Sequence, residues 1–410
     1  MTSAIRAYFQ AVELEADYEA IYYDVLDVKG QTQDIPHFIL LLDYIKKYQI
    51  LIDLFLPFCK IFFGLIIAPF YFLIRAVLMA RLLLINQSRI TLEKKSSVYL
   101  ATSNGENLRY LPKNYLNFPD LIITTSFKGI IDSSVLPSTT CLSLTNICDF
   151  QKLIKAYCLA VLSTWKLTFS SHRKYVLWGY TAFEWYLTFL TVCSIHPKRV
   201  WISNQNDRWL ILATSIPNAK VNIVQHGRLF TSLENGDKIF YRREQKLKNI
   251  DSIFAVDLLS EKLFGEYIDV NKVCFERINP RLASMPWRQT AAYTFKILVI
   301  GGSHKLGFFL KLMKEISHTL SVPYDLAIRH HPLQKSRIKE LDKNTNVWEL
   351  SHSDPIPEAD LVVSYGSSVD DQIYLSIDTN FVTYQWSDCI DVHQIALRVK
   401  DTLTNINRLI

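Results

Sequence analysis

No two cysteines in this sequence are spaced CxxC. The seven present (Cys59, Cys141, Cys148, Cys158, Cys193, Cys274 and Cys389) are scattered and odd in number. That argues against a disulfide framework and against a zinc site, and reads as free thiols in a reducing compartment. Other signatures are missing too. HExxH and HxH spacings are absent, and the acidic pair Asp370 and Asp371 is adjacent, so on a helix it faces two directions; no metal site is expected. GxSxG is absent, which argues against a serine hydrolase of the α/β type. Neither GxGxxG nor a P-loop occurs. Lysines and arginines form no basic stripe, so nucleic acid is not an expected partner. No apolar stretch follows a basic start at the amino terminus, where acidic runs such as "ELEADYEA" stand instead. The expectation is a protein on the cytoplasmic side.

What is present is a chain of 410 residues, 49% hydrophobic and 20% charged, with a net charge of +6. The length is too great for one ordinary core and predicts two domains. The composition is that of a folded chain. The modest positive charge permits anionic partners, among them phosphates and acidic lipid, without selecting one.

Residues 38–85 stand apart. "IFFGLIIAPFYFLI" (Ile61 to Ile74) is uncharged, with Lys60 before it and Arg75 after it. A spanning helix needs about 20 predominantly apolar residues, and Pro57 and Pro69 would kink one. The favoured expectation is an interfacial helical hairpin, with Lys60, Arg75, Arg81 and Arg89 reaching anionic head groups. A buried helix pair and a true span are the alternatives.

From about residue 96 the pattern alternates. "SVYLAT", "DLIITTS" and "CLSLTN" read as strands, 149–168 and 178–195 as helices, and "KRVWISN" as a strand. "NDRWLILATSI" reads as a helix capped by Asn206 or Asp207. "KVNIVQHG" and "DSIFAVD" are strands, "LLSEKLFGEYI" a helix, and "VCFERINPRL" a strand leaving the first domain. Asn279 to Arg281 and the following "ASMPWRQTAA" read as a linker. Beyond it come the strands "FKILVIGGS", "YDLAIRHHP", "NVWELS", "ADLVVSYGSS" and "NFVTYQW". Helices are expected over 305–320, at "VDDQIYLSI" and over 391–406. Alternating strands and helices mean an α/β chain with parallel sheets covered on both faces.

Four stretches carry candidate chemistry, each with a plain reading beside the functional one. "GGS" (Gly301, Gly302 and Ser303) lies between a strand and a helix, where backbone approaches a ligand closely and a helix start favours an anion; it is equally a tight turn. In "RHHP", Arg329 and His331 are two apart on a strand and share a face, an arrangement suited to phosphate; it is equally a solvated basic strand end. "SYGSSVDD" sets Gly366, Ser367 and Ser368 at a helix start, where two hydroxyls and free N–H groups can meet one anion, or where a serine simply caps the helix. "QHG" ends a strand with His226, which can take a proton near neutral pH or can be hydrogen-bonded under a loop.

The order xHG, then RxHP, then a strand ending in Ser-Ser at a helix start resembles bacterial GT-B glycosyltransferases of surface polysaccharides. The similarity covers about residues 96 to 400, and "NPRL" looks like their interdomain link. Capsule Kdo and sialic-acid-type transferases are the nearest suggestion. The CDP-glycerol phosphotransferases of teichoic acid synthesis are similar in the same elements. Sialyltransferases carry an acidic D/E-D/E-G motif where this sequence has "QHG", and the teichoic acid enzymes carry His-Gly. The acidic residue often found four positions after the second Ser is here Gln372, with Asp371 one earlier.

The resemblance implies two Rossmann-like domains facing a cleft, with an N-terminal helical, membrane-associated segment. The expected divisions are 1–95 for that segment, 96–285 for the acceptor side and 286–410 for the donor-nucleotide side. His226 would be the catalytic base. His331, Ser367 and Ser368 would hold the nucleotide phosphate, with Arg329 adding charge and Gly301, Gly302, Ser303 and Gly366 shaping the site. No permanently bound cofactor or metal is implied. The donor would be a CMP- or CDP-linked nucleotide sugar and the acceptor a glycan or lipid-linked glycan at the inner-membrane surface. Transfer of glycerol or ribitol phosphate, and a non-enzymatic membrane-bound scaffold of the assembly complex, are the rival expectations.

Overall fold

The structure is a computed structural model. It describes residues 2–25, 49–85, 96–101, 119–125, 140–203, 208–225, 246–255, 261, 264–265, 268–269, 273–277, 294–300, 306–329, 347–350, 357–364, 379–383 and 391–409. The chain divides into two compact units, the first carrying a seven-stranded sheet and the second a five-stranded one.

In the first unit the strands are β1 (Ser97–Ala101), β2 (Leu121–Thr124), β3 (Thr140–Ser143), β4 (Arg199–Ile202), β5 (Lys220–Val224), β6 (Ile250–Ala255) and β7 (Cys274–Arg277). Their order is β3-β2-β1-β4-β5-β6-β7, and every pairing is parallel. Each strand of β1, β2 and β4 to β6 is buried along nearly its whole length. This is why they read as continuous apolar runs rather than alternating ones: a parallel sheet is covered on both faces. At the edge, β3 is partly exposed.

Helices of this unit are α1 (Thr2–Val25), α2 (Gln49–Phe62), α3 (Ala68–Ile85), α4 (Leu144–Ile147), α5 (Phe150–Phe169), α6 (Ala182–Ile195) and α7 (Arg208–Thr214), with a 3₁₀ segment over Arg173–Thr181. Ser143 and Asn146 form a capping box that starts α4, and Asp149 caps α5 by accepting from the Lys152 N–H at 2.8 Å. Helix α1 packs against α7, α5 and the 3₁₀ segment. Its buried residues Ile5, Tyr8 and Val12 recur every three or four positions, one face of a helix.

The hairpin expected within residues 38–85 is not what forms between Gln49 and Ile85. There the chain keeps one helical course. A single π-helical turn, Phe63–Ile67, joins α2 to α3. Ala68 N–H donates to the Phe63 carbonyl, five residues back. This widened turn comes immediately before Pro69, whose ring and missing N–H an α-helical ladder accommodates poorly. Proline therefore swells the helix instead of reversing it.

In the second unit β8 (Phe295–Ile300), β9 (Tyr324–Arg329), β10 (Val347–Leu350), β11 (Leu361–Ser364) and β12 (Asn380–Thr383) stand in the order β10-β9-β8-β11-β12, again all parallel. Helices α8 (Leu306–Thr319) and α9 (Val392–Leu409) pack together. Ile297, Val299, Leu326, Ile328, Leu361 and Val363 build a core with Leu312, Ile316, Val399 and Leu403 of those helices. These strand residues are every second one, so α8 and α9 cover a single face of the sheet. The helices expected at "LLSEKLFGEYI" (most of it) and "VDDQIYLSI", and the linker after β7, lie outside the described residues.

Candidate functional site

In an open parallel sheet, ligands bind beyond the carboxyl ends of the strands, where the strand order reverses direction. The second sheet reverses between β8 and β11. Strand β8 ends at Ile300, β11 at Ser364, and β9, on the other side of β8, at Arg329. These three residues close the strands in one row. Ile300 pairs with Arg329, and Ser364 comes one residue after the pair Val363–Val299.

Arg329 and Ser364 belong to the alternate set of strand residues, so they face away from α8 and α9. Two strand spacings separate their backbones, about 10 Å. Arg329 is 1% exposed and Ser364 is fully enclosed. The guanidinium is therefore not the solvated basic strand end that one reading of "RHHP" allowed. A buried arginine needs hydrogen-bonded or charged company.

In sequence, Gly301, Gly302 and Ser303 follow β8, His331 lies two residues after β9, and Gly366, Ser367 and Ser368 follow β11. All seven lie outside the described residues, and so does His226. The strand that precedes His226 is described up to Gln225. Gln225 is fully buried, and its N–H donates to the Phe254 carbonyl at 3.0 Å.

The first sheet reverses between β1 and β4. At that point Tyr99 Oη donates to Ser203 Oγ at 3.0 Å, both side chains being buried. Burial pushes the Tyr99 phenol up to about 12, against the lowering effect of the Ser203 bond, so it stays protonated as a donor at neutral pH. This pair was not singled out in the sequence. Its signal is a tyrosine in "SVYLAT" and a serine ending "KRVWIS", residues that mean nothing until the strands are known to be neighbours. Among the described residues, no three His, Cys, Asp or Glu side chains gather as a metal-binding set.

No family model matches the sequence, and no curated protein matches it. Solved structures similar to the chain include a glycosyltransferase from Rickettsia africae, 14% identical, with a TM-score of 0.39 over 77% of this chain and 89% of that one. The wall teichoic acid polymerase TagF is 11% identical, with a TM-score of 0.39 over 83% of this chain and 89% of that one. The lipopolysaccharide outer core galactosyltransferase WaaB is 9% identical, with a TM-score of 0.37 over 75% of this chain and 90% of that one. Likeness of this degree leaves the chemistry of the chain to be argued from its own residues.

Proposed function

We propose that this chain is a metal-independent GT-B glycosyltransferase of bacterial surface polysaccharide synthesis. It moves a CMP-activated sugar, a nonulosonic acid or Kdo, onto a lipid-linked or polysaccharide acceptor of capsule or lipopolysaccharide. It works at the cytoplasmic face of the inner membrane as a peripheral protein. The observation that carries the reading is the strand order of the second sheet. Three adjacent parallel strands, β9, β8 and β11, run directly into "RHHP", "GGS" and "YGSS". Three stretches, each weak alone, thus leave one edge at the reversal point of the sheet.

On this reading His226 accepts the proton of the acceptor hydroxyl, whose oxygen attacks the anomeric carbon of the donor. The bond from that carbon to the phosphate oxygen breaks, and the nucleotide phosphate keeps the electron pair. His331, Arg329, Ser367 and Ser368 stabilise the charge growing there, with Gly301, Gly302, Ser303 and Gly366 allowing close backbone approach. Such preorganised donors act where charge develops, without reorganising. Transfer of a polyol phosphate from CDP-glycerol or CDP-ribitol is the second reading, favoured by "QHG" standing where sialyltransferases carry acids.

Calorimetry with CMP and CDP tests the site. His331→Ala and Ser368→Ala are expected to weaken binding by about 10- to 100-fold, the range for losing a charge-assisted hydrogen bond. His226→Ala is expected to bind as the parent does and to transfer nothing. Undiminished binding in His331→Ala overturns the phosphate role. Mass spectrometry of the product separates an added sugar from an added polyol phosphate.

A further inference from the structure

The helix from Phe55 to Ile85, 31 residues, is long and apolar enough to cross a membrane. Its surroundings argue for another placement. Gly64, Ala68, Phe72, Met79 and Leu83 form a buried stripe, and α3 with the π turn packs on α5. The approach is closest at Gly64, where a Cβ would lie 1.9 Å from Thr168 Oγ1 of α5 and 3.0 Å from Val176 Cγ2. Arg75, on the flank, is ion-paired with Glu184 of α6. From Gly64 to Leu83 one side of the helix is thus fastened to its own unit. Over that stretch lipid can reach the other side only. The helix is about 46 Å long at 1.5 Å per residue, well beyond the ~30 Å hydrocarbon core of a bilayer.

The free side is apolar apart from Arg81, which is exposed on it near the carboxyl end of α3. Phe58 is 68% exposed, Phe70 63%, Val77 60% and Leu84 66%. The surface continues onto α5. Helix α3 reaches α4, which precedes α5, while Gly64 lies near the end of α5, so the two helices run antiparallel. Going round α5 at 100° per residue, Trp165 lies about 60° from Thr168 and Phe169 about 100°. Trp165 is exposed, Phe169 is 74% exposed, and Ile154 extends the same stripe. Lys155 and Lys166 follow at about 140° and 160°, both exposed. Neither Phe55–Ile85 nor Phe150–Phe169 contains an aspartate or glutamate. Together they hold Lys60, Arg75, Arg81, Lys152, Lys155 and Lys166.

We infer that α2–α3 and α5 together form a two-helix docking face that lies flat in one leaflet of an anionic bilayer. The side chains of Phe58, Phe70, Val77 and Leu84 enter the acyl boundary, Trp165 and Phe169 sit beside them, and Lys155 and Lys166 meet the lipid phosphates at the rim. An apolar face with no acid from Phe55 onward, edged by lysines, matches an anionic interface, and a tryptophan at its margin suits head-group depth. The inference deepens the membrane-surface part of the proposed function and does not depend on the transfer chemistry.

The test uses the full chain and vesicles of equal parts phosphatidylcholine and phosphatidylglycerol, with no nucleotide added. The protein is expected to float with these vesicles, and about tenfold less with pure phosphatidylcholine. The variant Phe70→Ser/Trp165→Ser/Phe169→Ser is expected to lose flotation while its circular dichroism and cytidine-nucleotide binding stay as in the parent. Fluorophores on Cys59 and on introduced Phe70→Cys and Leu84→Cys, with other exposed cysteines changed to serine, report depth through lipid-borne quenchers. Equal shallow depths support the flat face. A course from one head-group region through the midplane to the other overturns it, as does undiminished flotation of the triple variant. A stable dimer that buries these residues and ignores vesicles overturns it as well. Failure of nucleotide binding with flotation intact would strike the transferase reading alone.

Discussion

Gly64 of the long helix and Thr168 of α5 meet so closely that no side chain fits between them: a Cβ on Gly64 would lie 1.9 Å from Thr168 Oγ1. The hydroxyl is held in place by donating to the Thr164 carbonyl at 2.8 Å. Gly64→Ala must therefore push the two helices apart. A loss of about 1–3 kcal/mol in the unfolding free energy of the first unit is expected, the range for overpacking. Gly64→Ala/Thr168→Ala, which removes the offending oxygen, should recover part of it. Denaturant melts of the two variants measure the difference, and equal losses would mean that the contact with Thr168 is not the cause.

Among the polar contacts that hold the amino-terminal helix, which include Glu15 with Arg208 and Asp17 with Tyr175, that of Tyr8 is buried. Tyr8 Oη and Thr181 Oγ1 are 2.9 Å apart, Thr181 Oγ1 in turn donates to the Trp178 carbonyl at 3.1 Å, and the Tyr8 ring packs on Trp185 and Tyr186. Burial raises the Tyr8 phenol well above its ordinary value, so the hydroxyl stays protonated at neutral and mildly alkaline pH. Tyr8→Phe keeps the ring and loses the hydroxyl, at about 1–2 kcal/mol. Tyr8→Ala loses both, at about 3–5 kcal/mol by analogy with other aromatic truncations. Thermal unfolding should rank the two in that order.

Thiol chemistry separates the cysteines by environment. Burial pushes Cys148 and Cys193 up to about 11. At pH 8 only about one in a thousand of each is thiolate, the nucleophilic form. Cys59, Cys158 and Cys274 are exposed. Alkylation at pH 8 followed by peptide mass spectrometry should modify these three first and Cys148 and Cys193 last. Raising the pH towards 11 should narrow the gap. With anionic vesicles present, Cys59 on α2 and Cys158 on α5 should become protected, while Cys274 on β7 should not.

Arg329 tests the enclosed edge of the second sheet. On the proposed reading its planar fork holds phosphate, a geometry that lysine does not reproduce. Arg329→Lys is expected to weaken CDP binding about tenfold, and Arg329→Met more. Calorimetry, with unfolding curves run in parallel, separates lost affinity from lost fold. A lysine variant that binds CDP as the parent does would reduce Arg329 to a structural charge.

The strands were legible because a parallel sheet imposes one rule at each of them, an apolar run closed by a polar or small residue. "FKILVIGGS", "YDLAIRHHP" and "ADLVVSYGSS" were placed as strands on that rule alone, and β8, β9 and β11 lie within them. The long helix was misread because Pro57 and Pro69 look like breaks. A π turn absorbs Pro69, and nothing local in the sequence announces such a turn. Helix α1 was overlooked since Ile5, Tyr8 and Val12 are diluted by the acids that follow them, one of which, Glu15, pairs with Arg208 at 2.9 Å, far along the chain. The Tyr99–Ser203 contact depends on strand adjacency, which no single sequence displays. The site stretches could be ranked only by sheet order, which sets the strands leading into three of them side by side; those stretches and His226 lie outside the described residues.

Arg75 is tied to Glu184 on α6. The next residue, Trp185, donates its Nε1–H to the Arg208 carbonyl at 3.0 Å, and the Arg208 side chain grips Glu15 of α1. Three links in series thus join the long helix to α6, α7 and α1, and α7 lies directly on β4 and β5. A force that tilts the long helix has a load path to β5, which ends at Val224, two residues before His226. Where the protein rests would then set how it is aimed: the angle of the docked helix would be passed to the first sheet through these contacts.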